Sequence, residues 1–221
     1  MKKNILIVGV LIVLLSSCRN NSTVVKSFYD HDGKILKEEY SVMTDSPSIR
    51  NGSYSLYNQF GKIIETRNYN HNQLVDTLRR FYSNGKNSEE CIYNNNEING
   101  YRKLFYENGK VMNEENYSKG KFDGPYHSYF ENGNKKEDGQ YLVEEMKGLW
   151  KYYYETGELQ QEVEFAGNME NGYYKHYFKS GKTKEEGSYL NGKNDGVWKY
   201  YEESGSQIAD TTWYEGYAQK K

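Results

Sequence analysis

At 221 residues the chain has room for one or two ordinary domains, yet only 36% of it is apolar and its mean hydropathy is −1.02. A non-repetitive chain this polar would not close a core, but 24 Tyr, 8 Phe and 3 Trp supply the burial that disordered chains lack. The 29 basic and 31 acidic residues give a net charge of −2 with acids alternating among the lysines, which excludes an electrostatic nucleic-acid binder.

Residues 1–17 read as a signal peptide. Lys2 and Lys3 precede an apolar run of 11 residues, Ile5 to Leu15, too short to span a bilayer, which takes about 20. Leu15-Ser16-Ser17-Cys18 resembles the bacterial lipoprotein lipobox. That resemblance implies cleavage before Cys18, acylation of its sulfur and α-amine, and stable membrane anchoring, since several acyl chains exceed the two-signal threshold. Residues 18–24 are then the lipidated Cys and a polar tether. Arg19 at the second mature position favours the outer membrane, and the lack of an acidic run after Cys18 favours its periplasmic side, with the cell surface as the alternative. Removing Lys2 and Lys3 with the signal takes the net charge to −4.

Residues 25–52 hold a degenerate first repeat, Phe28 to Tyr40 around Gly33, and an insertion, Ser41 to Asn51, that stretches the next interval to 28 residues. Pro47 among Asp45, Ser46 and Ser48 predicts a loop there, expected to adjust a cap and less favoured as a binding loop. Residues 53–217 are seven regular copies. Gly61, Gly85, Gly109, Gly133, Gly157, Gly181 and Gly205 recur at 24 residues without slippage. A second glycine series stands nine residues earlier, with Asp76 as its one exception, and aromatics recur eight after and four before each turn glycine. Residues 218–221 form a charged tail that blunts the last edge.

Asn-Gly at 84–85, 108–109 and 132–133 predicts two-residue type I′ hairpins. The stretch from each turn's second strand to the earlier glycine of the next copy reads as a Gly- and Lys-rich loop. The hairpin register sets the residue six before each turn glycine against the residue five after it. The pairs are Arg79 with Glu90, Lys103 with Glu114, His127 with Asp138, Lys151 with Glu162, Lys175 with Glu186 and Lys199 with Asp210. A slip of one residue would destroy this matching. The same register opposes Arg80 to Glu89 and Arg102 to Glu115. Alternation puts Trp150, Tyr152, Trp198 and Tyr200, with Tyr126 and Tyr174, on one face, as core or as binding aromatics. Tyr126 and Tyr174 lie across from Gly139 and Gly187, where a ring can cover bare backbone.

No chemistry of catalysis emerges. His31, His71, His127 and His176 fall at unrelated phases, so neither a metal nor another cofactor is expected. Cys91 faces Leu78 and reads as a small buried thiol. Paired acids such as Glu89-Glu90 point to opposite faces, as salt-bridge partners do and a catalytic dyad does not.

The copies Gly148 to Phe165 (GLWKYYYETGELQQEVEF) and Gly196 to Gly205 (GVWKYYEESG) resemble the MORN-repeat variant family, over about Tyr54 to Tyr217. Leu78 and Arg102 depart from the family's Trp/Tyr position and interrupt the aromatic ladder there. The resemblance implies an all-β, elongated antiparallel meander of tandem hairpins, a curled single sheet about 75 Å long at two strands per copy. Family members include YwqK-like antitoxins and bacterial lipoproteins, which implies a non-enzymatic, lipid-anchored envelope scaffold for a protein partner. Two alternatives follow. One is an antitoxin or immunity protein that meets a toxin in the envelope. The other is a glycan binder that stacks sugars on its Tyr and Trp rings.

Overall fold

The computed structural model describes the backbone of Leu15–Ser16 and residues 21–219. The rest of the expected signal peptide, Cys18 and the last two lysines lie outside the described residues. The chain forms two compact units, residues up to Gly100 with Glu107–Gly109, and Tyr101–Tyr106 with Lys110 onwards. Every regular element among the described residues is a strand.

In the first unit the strands are β1 (Leu15–Ser16), β2 (Ser22–Phe28), β3 (Leu36–Met43), β4 (Ser46–Tyr57), β5 (Ile63–Asn70), β6 (Gln73–Phe81) and β7 (Asn87–Asn94). Strand β8 (Glu97–Phe105) begins in the first unit and ends in the second. The second continues with β9 (Val111–Ser118), β10 (Lys121–Phe122), β11 (Gly124–Tyr129), β12 (Lys135–Leu142) and β13 (Glu145–Tyr153). It ends with β14 (Leu159–Ala166), β15 (Met169–Tyr177), β16 (Thr183–Leu190), β17 (Lys193–Tyr201), β18 (Gln207–Tyr214) and β19 (Tyr217–Ala218). Within each unit successive strands pair antiparallel, except that β10 and β11 both pair with β9, giving the all-β meander of tandem hairpins expected from the repeat.

The turns differ from expectation at both ends of the hairpins. At Asn84-Gly85 and Asn132-Gly133 only the glycine has positive φ, 85° and 95°, so the turn is not type I′. Gly85 N–H donates to Tyr82 O and Tyr82 N–H to Lys86 O, which is a three-residue loop with a left-handed glycine, and a bulge follows at Ser88, where the register shifts opposite Arg80 and Phe81. Asparagine is used here for its side chain: Oδ1 of Asn84 accepts from Lys86 N–H at 2.9 Å, and Oδ1 of Asn132 from Asn134 N–H at 2.8 Å. The bulge adds one residue, so the strands beyond it run in the register that a two-residue turn would have given.

The true two-residue type I′ turns lie where a loop was expected. His71-Asn72, Asn95-Asn96 and Asn191-Gly192 each have positive φ at both positions. The first strand of a hairpin therefore starts early and runs through the earlier glycine, as β13 does through Gly148. That glycine sits in a bulge: β14 and β15 change register between Val163 and Phe165, opposite Gly172 at φ 113°. Asp76 replaces glycine at the same place and still takes φ 63°, a conformation that Asp tolerates better than most residues. The insertion is likewise not a loop, because Pro47 lies inside β4, the longest strand at 12 residues.

The core is a row of side chains, one per strand, on one face. In the second unit it joins Trp150, Val163, Tyr174 and Trp198, exposed by 1–8%. The rings of Tyr141 and Tyr189 meet the two indoles edge-on at 5.2 and 5.1 Å. In the first unit Tyr54, Leu78 and Cys91 are buried on the equivalent face, with Cys91 opposite Leu78.

Candidate interaction surface

The sheet has one closed face and one open face. On the closed face, a Cβ placed on Gly139 would lie 2.2 Å from the Trp150 ring, and one on Gly187 would lie 2.4 Å from Trp198. The indole of the following strand covers each glycine, with Tyr126 and Tyr174 stacked beside it at 5.6 and 5.0 Å. Alternation alone gives that cover to the two tyrosines; the larger ring takes it because a strand bulge opposite each glycine swings Trp150 and Trp198 over the bare backbone. Tyr152 and Tyr200 pack half-buried against the same cluster. Burial pushes the Tyr126 and Tyr152 phenols up to about 12, with nearby Glu137 adding to the shift.

Where the aromatic row is interrupted, charge replaces it. Glu65 and Glu89 are nearly buried, and Arg80 bridges them, its Nε 2.9 Å from Glu65 and its Nη1 on Glu89. Arg67 also pairs with Glu65. In the second unit Arg102 reaches the buried Glu115 at 3.2 Å, and the Tyr117 hydroxyl donates to the same carboxylate at 3.1 Å. The Arg80–Glu89 and Arg102–Glu115 pairs were legible as opposed charges. The part played by Glu65 and Arg67 was missed, although two residues of opposite charge spaced i, i+2 already share a strand face.

On the open face Glu114, Glu162 and Glu186 each hold two donors. Lys103 Nζ lies 2.7 Å from Glu114, Lys151 3.0 Å from Glu162 and Lys175 3.1 Å from Glu186. From the next hairpin, the Tyr129, Tyr177 and Tyr201 hydroxyls donate to Glu114, Glu162 and Glu186 at 3.0, 2.7 and 2.7 Å. Lys199 faces Asp210 across β17 and β18. The Lys103 hydrogen bond holds the Glu114 carboxyl below its usual range. The Tyr201 hydroxyl, then Lys175, does so for Glu186. At Glu162 burial opposes the shift, but Tyr177 and Lys151 together win and lower it.

Beside this polar ladder runs a column that the sequence reading did not single out. Leu149, Tyr173 and Val197 stand eight residues before successive turn glycines and are exposed by 43, 43 and 54%. Each is two residues before a ladder lysine on the same strand, and successive members are two strands, or roughly 10 Å, apart. The signal was present as an apolar residue beside each tryptophan or tyrosine of the core, hidden because the bulge had been read as a loop. At the type I′ end, a cleft of about 370 Å³ is lined by Leu142 and by Met146 and Phe165, the last two packed against the core cluster.

Among the described residues no group of three or more His, Cys, Asp or Glu converges as a metal site would require. Three stretches of the chain match the MORN repeat variant family: residues 98–119, 146–166 and 170–191. Each MORN variant match covers one hairpin, from the start of its first strand to the type I′ turn that ends its second. Repeats of this family are generally interaction scaffolds for proteins and membranes and are not typically enzymatic. No curated protein matches the chain.

Proposed function

We propose that this chain is a non-enzymatic scaffold that grips a partner protein on the open face of its second unit, and that Cys18, acylated, holds it at the outer membrane on the periplasmic side. The observation that carries the reading is the exposed column Leu149, Tyr173 and Val197, repeated beside lysines at the period of the hairpins. An apolar stripe rimmed by charge is what a protein interface presents at its centre. The tryptophans serve the core instead. Trp150 and Trp198 are 2 and 3% exposed and offer no free ring face to a sugar, so the glycan alternative loses its two best stacking residues. A toxin entering the envelope is one partner of the required kind, in line with the antitoxin members of the family that the copies resemble.

The experiment captures partners from envelope extracts with the full chain and with a variant carrying Leu149→Asp, Tyr173→Asp and Val197→Asp. The reading requires capture to vanish in the variant while its thermal unfolding stays near that of the parent. Undiminished capture sinks it. Cys18→Ser should move the protein from the membrane to the soluble fraction.

A further inference from the structure

The edge strand β18 differs from every equivalent strand of its unit. Leu159 to Glu162 of β14 are all half-buried, as are Thr183, Glu185 and Glu186 of β16, whereas Gln207, Ile208, Ala209 and Asp210 of β18 are all exposed. Interior strands are covered here by the first strand of the next hairpin. On β14 the covering residues are Tyr174 opposite Val163, Lys175 opposite Glu162 and His176 opposite Gln161, with the Tyr177 hydroxyl on Glu162. On β16 they are Tyr200 opposite Glu185 and Lys199 opposite Glu186, with the Tyr201 hydroxyl on Glu186.

On β18 that cover is half present. Strand β19 turns back through Glu215-Gly216 and sets Ala218 opposite Trp213 and Tyr217 opposite Tyr214, and Gln219 N–H donates to Thr212 O. This is the start of another hairpin strand, laid over the end of β18 that is nearer the type I′ turn. Upstream, the strand remains exposed.

We propose that Gln207 to Thr211 is a docking edge for an extended segment of a partner protein, added as a further antiparallel strand with a defined side-chain pattern. Backbone hydrogen bonds to the edge supply attachment and side chains supply selection. The repeat dictates the selection. An apolar aromatic must sit over Thr211, a Lys or Arg must follow it opposite Asp210, and a Tyr must stand two residues further on with its hydroxyl towards Asp210. An acid in this column takes a lysine from its own hairpin and a tyrosine hydroxyl from the next strand together, as Glu162 does, so the Lys199 that faces Asp210 is no obstacle. The charge column then continues in alternating sign, and a segment with an acid at the second position is rejected.

The inference rests on the scaffold reading and specifies one of its contacts. Its probe is a blocked synthetic peptide that copies Gly196 to Glu202 (GVWKYYE), which carries the pattern in this chain's own register. Titrated into the full chain in detergent, it should bind saturably. Asp210→Lys in the protein, or Lys199→Glu in the peptide, should each weaken binding about fivefold or more, and combining the two reversals should restore it. No binding at millimolar peptide, or losses that the double reversal does not mend, would overturn the docking edge. If the peptide fails while partner capture by the Leu149, Tyr173 and Val197 column persists, the edge assignment alone falls.

Discussion

Gly139 and Gly187 owe their identity to the indoles above them, since neither has the positive φ that would otherwise require glycine. A methyl at 139 must displace a Trp150 ring that is 2% exposed and walled in by Tyr126, Tyr141 and Phe165. Gly139→Ala should therefore destabilise by about 2 kcal/mol, the ordinary cost of overpacking, measured by urea unfolding. Gly181→Ala also strains a left-handed turn but meets nothing within 4 Å, so it should leave the near-ultraviolet signal of Trp150 and Trp198 unchanged. Val143 is the opposite case. It holds φ 50° in a type I′ turn whose equivalents are Asn, Gly, His, Lys or Glu, a conformation that costs a non-glycine residue about 1–2 kcal/mol. Val143→Asn should raise the unfolding midpoint by relief of about 1 kcal/mol. The small residues of the core row were readable as a pattern of glycines opposite tyrosines. Which ring lay above them was not, because that depends on a bulge that shifts the next strand by two places.

At the scale of the hairpin, pairing survives although the turns were misassigned. The charge columns fix the register whatever closes the loop, and Arg79 opposite Glu90 or Lys175 opposite Glu186 follows from sign matching alone. Turn type was not legible from Asn-Gly, because the dipeptide serves equally as two left-handed residues or as an Asx cap followed by one left-handed glycine, and the difference lies in a single φ. The ladder acids give a pH dependence. Glu114, Glu162 and Glu186 titrate lower in the folded chain than unfolded, so their contribution is present above the unfolded value near 4.3 and fades as pH falls through the folded values. Thermal stability should decline below about pH 4.5, and less steeply in Glu162→Gln. Tyr126, Tyr129 and Tyr152 behave inversely. Their folded values, pushed up to about 12, give a contribution that is full below the ordinary value near 10 and is lost as pH rises through 12. Absorbance at alkaline pH should show them ionising only as the chain unfolds.

Over the whole molecule the period outlasts the chemistry of the core. Where copies lack a Trp or Tyr, Arg102 with Glu115 takes the place in the row, and Arg80 with Glu65 and Glu89 lies beside Leu78 and Cys91 on the same face. Arg80→Met would leave two nearly buried carboxylates without their shared cation. It should cost about 2 kcal/mol, below the 3–5 of a fully buried pair because the guanidinium is half exposed. A scaffold of this kind can vary its row and keep its spacing, which suits a surface that repeats contacts at fixed intervals. The strand order and the pairing were legible because period and charge agree in every copy. The open column was not, because its residues differ in type and are united only by position. The most direct test of the hairpin array is disulfide trapping of paired cysteines placed at 151 and 162, within one hairpin, and at 162 and 175, across to the next. Both pairs face one another across adjoining strands, at a separation that a disulfide can bridge. The account predicts that both close rapidly while the offset pair 151 with 161 does not; failure of the first two, or equal closure of the third, would contradict it.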